Sequence, residues 1–148
     1  MSGGSTITMQ VARLKRKGKS RTFYEKAMEM LMAIKLELNF SKKHILSLYA
    51  SNAPYGGNVV GIEAAAWRYY GRTAHELSWA ESAALAVLPN SPALVFPGRN
   101  PFALENKRNN LLTKLYQQGD IDSITYVLSL LEPLPQKPNP LPLLAPHL

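Results

Sequence analysis

Cysteine is absent from the sequence, which excludes a disulfide framework and any thiolate-held metal centre. No apolar run reaches the roughly 18–20 residues of a membrane-spanning helix. No signal-peptide pattern opens the chain either, so it is expected to carry no export signal or anchor of its own. The period-two alternation of strands is missing, as is any internal repeat, and an all-α fold is expected. His44, His75 and His147 stand apart without metal-ligand spacing, so no protein metal site is expected. Acidic residues are few, ten against seventeen basic, for a formal charge of +7.

What is present is a chain of 148 residues, 46% hydrophobic and 18% charged, long enough for one domain with its own core. Its positive excess is local. Residues 11–26 hold seven basic side chains against Glu25 alone, while the remainder is close to balanced. So concentrated a field suits an anionic ligand or surface: phosphate, anionic lipid or nucleic acid. No aromatic interleaves the cluster before Phe23, and no DNA- or RNA-binding motif accompanies it. Nucleic acid is therefore not the expected partner.

Helical signals follow in order. Ser5 or Thr6 can cap a helix to about Leu14, with Ile7, Val11 and Leu14 as its apolar stripe. Lys15 to Arg21 reads as a basic loop. A long helix is expected from about Thr22 to Phe40, with Ala27, Leu31, Ile34 and Leu38 at helical spacing, and Ser41 caps another through Ile45, Leu48 and Tyr49. Ala53 to Asn58 is a turn. Val60 to Tyr70 is helical up to Gly71, and Ser78-Trp79-Ala80-Glu81 is a capping box for an apolar helix ended by Pro89. Asn100-Pro101 opens a helix stopped by Gly119, and Asp122 caps a last one to about Glu132. Six prolines between 133 and 146 mark an extended segment. The expected organisation is a helical domain over 1–132 and a proline-rich linker over 133–148.

Thr6, Gln10 and Arg13 fall at i, i+4 and i+7, on one face of the first helix. A glycine-flanked helix N-terminus and a fixed guanidinium would make an anion cradle there; the same spacing also suits an ordinary capped helix with a solvated polar face. Glu29 has Glu25 and Lys26 behind it and Met32 and Ala33 ahead on its face of the long helix. That mixed setting suits a general acid or an electrostatic stabiliser, and equally a surface glutamate paired with Lys26. Glu81 is explained by its capping box. Glu63, beside three alanines, is either structural or lines a groove. Tyr49, Tyr55, Tyr69 and Tyr70 could stack on sugars or belong to a core.

Taken together, the blocks resemble a known family. Gly3-Gly4-Ser5-Thr6-Ile7-Thr8-Met9-Gln10-Val11-Ala12-Arg13-Leu14 is similar to the second motif of the glycosyltransferase family 51 domain of class A penicillin-binding proteins, the 1C branch above all. Glu25-Lys26-Ala27-Met28-Glu29, with Leu36-Glu37 and Ser41-Lys42, resembles the third motif, and Ile45 to Tyr49 with Ala53 to Asn58 the fourth. Glu63-Ala64-Ala65, Tyr70-Gly71, Leu77-Ser78 and Leu85 to Pro89 resemble the fifth. The resemblance runs from Gly3 to about Gly119, and the ending near Leu144 to His147 looks like the approach to a transpeptidase domain.

The resemblance implies a lysozyme-like helical fold and polymerisation of lipid II into glycan strands. The 4-hydroxyl of an incoming lipid-linked unit attacks the growing chain, whose pyrophosphate-lipid leaves with inversion. It implies Glu29 as the catalytic glutamate near the donor pyrophosphate, and Ser5, Thr6, Gln10, Arg13 and Lys26 as substrate-binding. It further implies lipid II, the growing glycan and the membrane surface as partners, at the periplasmic face of the inner membrane. A divalent cation, Mg or Mn, is a candidate for the pyrophosphate. The family's general base is a glutamate of a first motif that no stretch of this sequence matches, so the 148 residues by themselves are expected to be inactive; the alternative is a non-catalytic fragment binding lipid pyrophosphate or the membrane surface. Glu25 stands where many relatives have arginine, and Ser51 where many have asparagine.

Overall fold

A computed structural model of the chain describes residues 6–15, 22–90, 93 and 95–140. Among them there are seven α-helices, two short 3-10 turns, and no strand beyond two isolated bridges. The chain divides into two compact units, Met1–Ala53 and Pro54–Leu148.

The first unit holds α1 (Ile7–Lys15), α2 (Phe23–Asn39) and α3 (Lys42–Asn52). Each begins where a hydroxyl can accept an otherwise orphaned backbone N–H. Thr6 Oγ1 accepts from Met9, Thr22 from Glu25 and Ser41 from His44, at 3.2, 3.2 and 3.3 Å. The packing seam is made of small residues. Thr8 and Ala12 of α1, Ala33 of α2 and Ile45 of α3 are buried, Ala12 to 1% exposure.

This seam corrects the expected stripes. Ile7 is 45% exposed, while Leu31, Ile34 and Leu38 of α2 point to solvent, Leu38 at 81%. The physical reason is that helices approach most closely where side chains are short, so alanine and threonine take the contact and the longer residues are turned to its flanks. α2 therefore carries two faces of apolar character: one packed through Ala33, the other outward through Phe23, Leu31, Ile34 and Leu38.

The second unit holds α4 (Ile62–Tyr70), α5 (Trp79–Val87), α6 (Pro101–Gln118) and α7 (Ser123–Leu131). Its stops and starts are local chemistry. Gly71 and Gly119 end α4 and α6 in the left-handed region, and Asn100 and Asp122 cap α6 and α7 through Ala103 and Thr125. Ser78 and Glu81 form the reciprocal capping box of α5. Ala83, Leu112 and Ile121 centre a core flanked by Leu111, Leu115, Tyr126 and Leu130. Arg108, 1% exposed, donates to the carbonyls of Leu130 and Glu132 and so ties down the end of α7. In the proline-rich segment, Asn139 N–H donates to Arg68 O at 2.6 Å, and the Arg68 guanidinium donates back to Asn139 O. Asn139 thus lies against α4, in a segment, 133–140, without regular structure.

Candidate functional site

The first unit gathers the polar residues singled out from the sequence. On α1, Arg13 extends to α2 and forks onto Glu29: Nε donates to Oε1 at 3.0 Å and Nη2 to Oε2 at 2.9 Å. The Glu29 side chain is only 12% exposed, that of Arg13 46%. A bidentate, charge-assisted pair of this kind fixes both partners in orientation as well as position. The carboxylate raises the Arg13 guanidinium above its ordinary value, against a smaller opposing effect of burial.

The sequence left Glu29 open as a catalytic carboxylate or as a surface glutamate paired along its own helix with Lys26. It is forked to Arg13, sixteen residues away across a helix–helix contact, while Lys26 lies on the exposed surface of α2. Charge at i−3 is a weak attraction between solvated groups; a guanidinium held on the facing helix wins by geometry. One turn earlier on α1, Gln10 Oε1 accepts from the Tyr49 hydroxyl of α3 at 3.3 Å, and burial raises the Tyr49 hydroxyl. Thr6 uses its hydroxyl on the α1 cap. Ser5 lies outside the described residues.

Sequence reasoning missed a second polar link. Thr8 donates to Glu37 of α2, and Lys42 donates to the same carboxylate, lowering its pKa, Lys42 more than Thr8. Thr8 at the seam of an otherwise apolar contact was the available signal.

The remaining candidates divide plainly. Glu81 is buried, engaged in its capping box and 3.6 Å from Arg72. Glu63 is exposed and accepts from the Ala74 N–H, a structural role. Tyr55 and Tyr69 are core: the Tyr69 hydroxyl donates between the carbonyls of Tyr55 and Gly56, 3.0 Å from each, and burial pushes it up to about 12. The Tyr70 hydroxyl is buried too, and raised chiefly by that burial. Tyr49 belongs to the first unit, and Tyr55, Tyr69 and Tyr70 to the second.

No group of three or more His, Asp or Glu side chains among the described residues could hold a metal ion. Between α1 and α2, Glu29 is forked to a guanidinium, and Glu37 accepts from Thr8 and Lys42. No step is assigned to a cation.

Comparison with known proteins resolves the family. The transglycosylase family profile matches residues 1–116. The chain belongs to the transglycosylase family. This transglycosylase chain is similar to penicillin-binding protein 1C of Escherichia coli (strain K12), 42% identical over 146 residues, covering 99% of the chain and 19% of that protein. It is 40% identical to penicillin-binding protein 1A of Pseudomonas aeruginosa over 133 residues, 90% of the chain and 16% of the relative. A putative transglycosylase of Cupriavidus necator is 36% identical over 132 residues, 89% of the chain and 57% of that protein. The crystal structure of penicillin-binding protein 1A from Haemophilus influenzae matches with a TM-score of 0.59 at 25% identity, over 88% of the chain and 16% of that structure. The transglycosylase chain thus spans under a fifth of the first curated relatives it matches. The all-α fold and the resemblance read from the ordered motifs are borne out.

Proposed function

We propose that this chain supplies the lipid-pyrophosphate side of a peptidoglycan glycosyltransferase that polymerises lipid II into glycan strands. The observation that carries the reading is the Arg13–Glu29 fork on the α1–α2 face, with Arg13 in the stretch that holds most of the chain's excess positive charge. A guanidinium has five N–H donors; two serve Glu29, and the others are free by count to take pyrophosphate oxygens. Arg13, Lys26 and the N-terminus of α1 with Ser5 and Thr6 stabilise the departing pyrophosphate, whose bond to the anomeric carbon breaks as the incoming 4-hydroxyl bonds to it. Glu29 orients Arg13 and sets a negative charge near the positive charge developing on the sugar. Gln10, fastened to Tyr49, keeps the face aligned. The hydroxyl proton passes to the first-motif glutamate that none of these residues matches.

The membrane surface as partner is supported by the outward apolar face of α2, where Phe23 is 95% exposed, beside basic residues that favour anionic headgroups. No helix among the described residues is long and apolar enough to cross a membrane. Docking at the periplasmic face of the inner membrane is part of the same proposal.

The test is direct. The purified 148-residue chain is expected to bind undecaprenyl pyrophosphate with a salt-sensitive affinity and to make no glycan from lipid II. Polymer at an appreciable rate would contradict the assignment of the general base elsewhere, and absence of binding at low salt would contradict the site.

A further inference from the structure

The α1–α2–α3 unit also encloses a pocket of about 710 Å³, inside the roughly 300–1,000 Å³ range of small-molecule sites. Its walls are apolar: Leu14, Met32, Leu36 and Leu48 among them. Its titratable lining is two lysines and a histidine, Lys15, Lys35 and His44, the last stacked on Phe40 at 4.8 Å. Among the described residues no carboxylate lines it. Arg13 and Glu29 are not part of it. α1 instead contributes Val11, Ala12, Leu14 and Lys15, while Gln10 and Arg13 turn to Tyr49 and Glu29.

An apolar cavity with lysines and no acid is complementary to a hydrocarbon chain carrying a negative head. A neutral apolar ligand would leave the lysines without a role, and a free phosphate would leave the walls unused. The exposed apolar face of α2 belongs to the same unit, so a bilayer is the natural source. We propose that this pocket binds one acyl chain of an anionic phospholipid, with its phosphate at Lys15 and Lys35, at a site separate from the Arg13–Glu29 face.

Lauroyl lysophosphatidylglycerol, titrated below its micellar concentration into the full chain with methyl NMR detection, tests this. One molecule should bind, shifting Met32 and Leu36 rather than Leu31, Ile34 and Leu38, and the zwitterionic lysophosphatidylcholine should bind about tenfold more weakly. Lys15→Glu with Lys35→Glu, both at exposed positions, should weaken the anionic lipid by about tenfold or more and leave undecaprenyl pyrophosphate affinity altered far less than Arg13→Gln does. Leu36→Trp, which fills the cavity, should abolish the saturable shifts; the lysine variants keep the question open to refutation if that protein does not fold. Equal binding of the two lipids, shifts confined to the outward face of α2, or indifference to the lysine changes would overturn the proposal. Loss of pyrophosphate binding with lipid binding intact would instead count against the proposed function alone.

Discussion

At the scale of single residues, the two units rely on different chemistry. In the second, the turn at Gly56 is set by conformation and by one hydroxyl. Gly56 has φ +85°, and a Cβ there would stand 2.6 Å from Phe96 Cβ. Gly56→Ala is expected to cost about 2–4 kcal/mol, because both the positive φ and the contact with a core-facing ring oppose it. Tyr69→Phe leaves two carbonyls without their shared donor and should cost about 1–2 kcal/mol. Urea denaturation of the two variants, with unchanged m-values, checks both figures. In the first unit the decisive residues are charged. Arg13 and Glu29 were each legible from the motifs, but their bond was not, since a pair sixteen residues apart depends on how two helices dock.

At the scale of elements, the starts and stops of helices were the most readable part of the fold. Thr22, Ser41, Ser78, Asn100 and Asp122 all cap where expected, and Gly71 and Gly119 end their helices, because capping is decided within four residues. The buried faces were not readable in the same way. α2 has apolar residues around most of its circumference, and the choice of the Ala33 side rests on its neighbours α1 and α3. Two predictions belong here. Asp122 and Glu76 have pKa values lowered by the backbone N–H groups they accept from, at Thr125 and Thr73. A carboxylate depressed in the folded state contributes stability in full above its unfolded value, about 3.9 for Asp and 4.3 for Glu, and loses it as pH falls through the lower folded value. The melting temperature should therefore drop as pH falls below about 4, and Asp122→Ala should be less stable at neutral pH but less sensitive to acid. Ile34→Glu with Leu38→Glu, on the outward face of α2, should change stability by about 0.5 kcal/mol or less per site while reducing cosedimentation with phosphatidylglycerol vesicles. Unchanged cosedimentation would remove that face from membrane docking.

At the scale of the whole molecule, family membership came from order and spacing: four motifs in sequence, which a profile over residues 1–116 then bore out. The helical class was equally legible, from the lack of any period-two pattern. The pocket beside α1 was not, because it is a property of three helices at once and no one of their sequences announces it. The anion-binding reading rests on charge concentrated in residues 11–26 and on one fork between α1 and α2. The measurement that reaches this claim most directly is the affinity of the chain for undecaprenyl pyrophosphate, wild type against Arg13→Gln and Arg13→Lys, at low and at physiological salt. Arg13→Gln should bind about 10- to 100-fold more weakly, as expected for loss of charge-assisted hydrogen bonds, with a flatter salt dependence, and Arg13→Lys should recover only part of the loss because a point charge cannot fork. Wild-type affinity and wild-type salt dependence in Arg13→Gln would contradict the assignment of the α1–α2 face as the pyrophosphate site.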